Sequence, residues 1–218
     1  MKLDRPQTNV SVVARQFNPS IITQHWLIKN GILLEPDFNP ECVLSPVVAD
    51  VRTKEFNFIV VPERLQFIPN VDDTDAECRI IVSKVGRIIE LLPETPFVAV
   101  GMNFLWFIDL ESEPQTRISR KLFFRDGSNL YKKFDAEDAQ FGAYMSKEVI
   151  GCRLRLNIKP VILTIENEQS PRLQFSFNFH LDLPNDEKVS AIKDFLPNWI
   201  KAKTLTREIA ECAIQEAM

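Results

Sequence analysis

The chain has 218 residues, of which 45% are hydrophobic and 26% charged, and a formal net charge of −4. This composition excludes a disordered chain and gives enough length for a core without disulfide or metal staples. The acidic balance argues against a surface built mainly to grip a phosphate backbone, and the six glycines never cluster into a phosphate-cradling loop.

From the N-terminus, "NVSVVARQF" (9–17) predicts a strand that stops at Asn18-Pro19-Ser20, and "PSIITQHWLIKNG" a short amphipathic helix. Residues 31–46, with Pro36, Pro40 and Pro46, read as a loop with room for a short extended piece. "PVVADVRT", "FNFIVVPE" and "RLQFIPN" read as three strands. "DDTDAECRIIVSKVGRIIELLP" reads as a helix with acids at its start and an apolar stripe through Ile81, Val85, Ile88, Ile89 and Leu92.

"FVAVGMNFLWFIDL" opens the second half as a long buried strand, with "RISRKLFFRD" as its hairpin partner and "FDAEDAQFGAYM" as a short helix. Three more strands follow in "EVIGCRLRLNIK", "PVILTIENE" and "PRLQFSFNFHLDL". In the last, Leu173, Phe175, Phe177 and Phe179 share one face. Residues 186–217 predict helix, broken at Pro197.

The stretch Arg-Leu-Gln-Phe occurs twice, at 64–67 and 172–175, 108 positions apart. Each copy opens the third strand of a strand-strand-strand-helix run, and each run follows a strand and a short helix. The expectation is an α+β fold with a largely antiparallel sheet built from two β-α-β-β-β-α halves, 1–95 and 96–218, in one compact domain. Helices pack on one face, and the last is long.

Chemistry is sparse. Cys42, Cys78, Cys152 and Cys212 are far apart and read as buried reduced thiols. His25 and His180 have no ligand-spaced neighbours; the first reads as half-buried in packing and the second as solvated. The acids of "DDTD" (72–75) and "DAED" (135–138) read as helix starts. No GxSxG elbow is present. The chain therefore reads as a non-enzyme with no cofactor and no metal.

Two surfaces remain. Arg117, Arg120, Lys121, Arg125, Lys132 and Lys133 lie among Phe123, Phe124 and Tyr131, a pattern that can serve single-stranded nucleic acid. The aromatics and the last helix, with Trp199, Ile200, Leu205 and Ile209, suit a protein interface. The favoured reading is an interaction module that binds another protein or itself. Nucleic-acid binding, and a ligand-binding or hydrolytic cavity, are its alternatives. The N-terminus lacks an apolar signal region and no run spans a bilayer, so the expected location is cytoplasmic, away from membranes.

Overall fold

Period-two alternation divides the sheet residues into two faces, and the helices cover one of them. The computed structural model describes residues 1–111, 113–165 and 168–218. Ten strands form one sheet: β1 (Lys2–Leu3), β2 (Gln7–Ala14), β3 (Val43–Leu44), β4 (Ala49–Arg52), β5 (Phe56–Val61), β6 (Arg64–Pro69), β7 (Phe97–Asp109), β8 (Ala143–Val149), β9 (Cys152–Ile165) and β10 (Glu168–Asp182). The order across it is β3-β4-β5-β6-β2-β7-β10-β9-β8, with β1 pairing the end of β7. Every pairing is antiparallel.

The expected α+β class with a large antiparallel sheet holds. In the first half, β2 and a short helix precede β4, β5 and β6, and β2 lies beside β6. In the second, β7 and a helix precede β8, β9 and β10, and β7 lies beside β10. The halves meet where β2 pairs β7. Leu65 and Phe67 of the first Arg-Leu-Gln-Phe, and Leu173 and Phe175 of the second, are all buried on the helix side.

The helices are α1 (Gln24–Lys29), α2 (Thr74–Ile80), α3 (Gly86–Glu90), α4 (Gln115–Phe123), α5 (Lys188–Phe195) and α6 (Trp199–Ala217). Asp73 caps α2 by accepting from the Ala76 N–H at 2.7 Å. A π turn at Ile81–Val85 joins α2 to α3. Along α6 the buried positions Trp199, Ala202, Thr206, Ala210 and Ala217 recur every three to four residues, or nearly twice that. After Trp199, the small side chains of Ala202, Thr206, Ala210 and Ala217 let the helix backbone lie close against the sheet and α4. Trp199 packs on Phe104 of β7 with ring centroids 4.7 Å apart, which places the α6 anchor over the seam between the halves.

The opposite face carries a polar row. Asn9, Asn103 and Asn178 are register partners on β2, β7 and β10. Asn178 Nδ2 donates to Asn103 Oδ1 at 2.8 Å, and Asn103 Nδ2 to Asn9 Oδ1 at 2.9 Å. The amides tie the two halves together across the seam and penalise a register slip.

Several local expectations are corrected. "RISRKLFFRD" forms α4, with Gln115, Ile118 and Ser119 turned inward at helical spacing, in place of a hairpin strand. Within "FDAEDAQFGAYM", residues 135–142 are irregular after a 3₁₀ turn at Tyr131–Phe134 and the last three open β8, so "DAED" starts no helix. The expected break at Pro160 is absent because β9 runs straight through it. Pro160 lies beyond the last β8 partner, Ile158, so its missing N–H leaves no β8–β9 hydrogen bond unmade. The strand that was missed is β8, and the end of "PVILTIENE" at Glu166-Asn167 falls outside the described residues. His25 is exposed rather than half-buried. Of the cysteines, Cys152 is buried, Cys42 and Cys78 are half-buried and Cys212 is exposed.

Candidate protein-interaction edge

An antiparallel sheet has two edges, each with a row of backbone groups that can accept another strand. The two edges of this sheet differ. At one end β3 has two residues, flanked by Pro40 and Pro46 in the chain. Arg52 on its neighbour β4 bonds Asp50 at 3.0 Å and reaches Glu41 at 4.0 Å. Shortness, prolines and charge close that edge to pairing.

At the other end β8 has seven residues and no proline, and no strand among the described residues pairs its outer side. The turn into β9 is Ile150-Gly151, with φ of 55° and 69°. Two positive φ values make it a type I′ turn, and Gly151 takes the left-handed conformation without steric cost. The residues flanking such a turn, Val149 and Cys152, exchange backbone hydrogen bonds. Antiparallel alternation then directs the N–H and C=O of Val149, Lys147, Met145 and Ala143 toward β9. Those of Glu148, Ser146 and Tyr144 point outward, unpaired.

Apolar side chains gather at this edge. Tyr144 and Met145 are 67% and 47% exposed, and Leu130 and Phe134, on the segment leading to β8, are 66% and 59% exposed. Leu130, Tyr131, Phe134, Gln140, Phe141 and Gly142 line a hollow of about 230 Å³. Its base is rigid. Tyr131 stacks on Phe141 at 5.8 Å, and Phe124 meets both rings edge-on at 5.5 and 5.3 Å. The Phe141 N–H donates to Ser119 Oγ of α4 at 3.2 Å. Gly142 fits only because it lacks a Cβ, which would stand 2.3 Å from the Ile158 carbonyl oxygen.

Arg120, predicted as a nucleic-acid contact, holds this segment in place. Its guanidinium lies over Phe124 and Phe141, bonds Asp135 at 2.7 Å and donates to the Ala136 carbonyl at 2.7 Å. Arg117 pairs with Glu113 at 2.9 Å, and Lys121 Nζ donates to the Ala217 carbonyl at the end of α6. Arg125, Lys132 and Lys133 are exposed, in a segment that also carries Asp126, Asp135, Glu137 and Asp138. Three of the six basic residues thus serve the protein's own contacts, and the other three stand among acids. On the open sheet face Arg153, Arg155 and Lys159 line β9, with Arg153 bound to Glu148 at 3.1 Å.

The predicted α6 interface divides. Trp199 is fully buried and unavailable to a partner, and its Nε1 donates to Glu77 at 2.9 Å. Ile200 faces outward, while Leu205 and Ile209 are half-buried against the core. His180 sits beside Asp182 at 3.0 Å on the open face. Burial, reinforced by Glu148, pushes the Cys152 thiol above its ordinary range, and burial with Asp75 does the same to Cys78. Among the described residues no three His, Cys, Asp or Glu side chains gather as a metal site requires, and no helix is long and apolar enough to cross a membrane.

Sequence reasoning missed Leu130, Phe134, Tyr144 and Met145. The one available signal is the presence of large apolar residues in a segment too polar to form a core element. No protein-family model matches the chain, and no curated protein matches it in sequence.

Proposed function

We propose that this protein is an interaction module whose β8 edge takes up a strand from another polypeptide chain. The observation that carries the reading is the asymmetry of the sheet. One edge is closed by a two-residue strand and prolines, while the other presents seven residues with exposed Tyr144 and Met145 beside the hollow under Leu130 and Phe134. Strand addition derives affinity from main-chain hydrogen bonds and selectivity from pockets for side chains; the outward groups of Tyr144, Ser146 and Glu148 support the first, and the hollow that reaches Gly142, next to the first residue of β8, supports the second. Apart from the two-residue strands β1 and β3, the halves share a strand-helix-strand-strand-strand order, and in each the strand before the helix pairs with the last strand, β2 with β6 and β7 with β10; with the matching burial of the two Leu-x-Phe pairs, this supports descent of both from one duplicated unit.

A photo-crosslinking aromatic residue in place of Tyr144 tests the reading with purified protein. It is to be mixed with a panel of extended peptides of alternating apolar and polar residues, and separately with unmodified chain. Adducts should form at position 144 and be absent when the same residue replaces Asn57 on the open face of β5. Equal labelling at the two positions refutes the reading.

A further inference from the structure

Resting on that reading, we propose that the strand β8 accepts is β8 of a second copy, running antiparallel, with Ser146 opposite Ser146 on a two-fold axis. Two features of the edge select this occupant. The first is hydrogen-bond parity. Only Tyr144, Ser146 and Glu148 direct their backbone groups outward, and a self-pair can use all three on both chains in one register alone. In it Tyr144 faces Glu148 of the second copy, Ser146 faces Ser146, and Glu148 faces Tyr144, each pair exchanging both its hydrogen bonds. Moving the axis to Met145 or Lys147 leaves one of the three outward residues on each chain unmatched.

The second feature is complementarity of side chains in that same register. Lys147 meets Met145 of the second copy, whose thioether packs on the lysine's aliphatic stem. Ala143 meets Val149, and the aromatic Tyr144 meets Glu148, which is already neutralised by Arg153. No like charges stand directly opposite, whereas an axis at Lys147 would oppose two ammonium groups. A two-fold edge contact is isologous, so it closes after two copies and leaves the blunted β3 edges at the ends of a doubled sheet.

Charge reversal at the axis tests the register. Ser146 is only partly buried and makes no side-chain hydrogen bond that its replacement would break, so Ser146→Lys and Ser146→Asp should both fold, as circular dichroism and melting will report. Each variant places two like charges face to face, while a mixture of the two places opposite charges face to face. By sedimentation at low salt the unaltered chain should have the mass of two copies, each variant alone the mass of one, and the equimolar mixture the mass of two. An unaltered chain of single-copy mass overturns the self-pairing, as does a variant that remains paired or a mixture that stays unpaired. If self-pairing fails but peptides still crosslink at position 144, the strand-accepting reading stands; if neither occurs, both fall.

Discussion

Removing the Glu77 carboxylate should unseat α6 from the helix layer. Glu77 is 2% exposed, and one of its oxygens accepts from Trp199 Nε1 at 2.9 Å and from Lys203 Nζ at 2.7 Å. Glu77→Ala leaves a largely buried ammonium and an indole N–H without partners. Breaking a buried pair from one side costs about 3–5 kcal/mol, and the residual water access of Lys203, whose side chain is 14% exposed, sets the expectation near 3. For a chain of this length that is a fall in melting temperature of roughly 6–12 °C. Glu77→Gln keeps an acceptor for one donor and should lose about half as much. The double change Glu77→Met with Lys203→Met removes both charges and should recover much of the loss, because apolar packing replaces a buried pair with little penalty. Thermal and urea denaturation measure all three. A Glu77→Ala loss below about 1 kcal/mol, or a double variant no better than the single, refutes the argument that this pair anchors α6.

Three other expectations follow from local geometry. Gly142→Ala drives a Cβ into the Ile158 backbone and should displace the start of β8 at a cost of about 1–3 kcal/mol, visible as lost amide protection at Ala143. Glu90 has its carboxyl held below the ordinary range by hydrogen bonding and charge from Lys193. Its folded pKa is therefore the lower one, and the pair favours the folded chain above the ordinary carboxylate pKa and ceases to do so as pH falls through the lowered value; Lys193→Met should raise the Glu90 titration, followed by NMR, toward the ordinary range, with Arg87 retaining the smaller part of the lowering. Among the thiols, exposed Cys212 should react with a neutral alkylating reagent first, and Cys152, buried and with its thiolate disfavoured, last.

The sheet was legible where one face is buried. Alternation in Phe56-Phe58-Val60 and in Leu173 to Phe179 is imposed by the helix layer, so the sequence pattern and the burial coincide. It was illegible in β8, whose Tyr144, Met145, Lys147 and Glu148 are all exposed, so that no alternation exists to be read. The same absence of burial that hid the strand makes it available to a partner. α4 was misread because Ile118 and the aromatic pair Phe123-Phe124 favour strands by propensity and Asp126-Gly127 signals a turn; docking of Ile118 and Ser119 against the sheet overrides that preference. Arg120 was singled out as a nucleic-acid contact, and in the structure its guanidinium clamps its own loop; a cation among aromatics has the same composition in either role.

Residue-resolved amide exchange along β8 addresses the strand-accepting edge most directly. At low protein concentration Met145 and Lys147 should be protected by β9, while Tyr144, Ser146 and Glu148 exchange freely. With rising concentration of the chain, the last three should become protected together while amides of β3 and β4 stay unchanged. Exchange at Tyr144, Ser146 and Glu148 that remains fast at every concentration, with or without added strand peptides, would contradict the account.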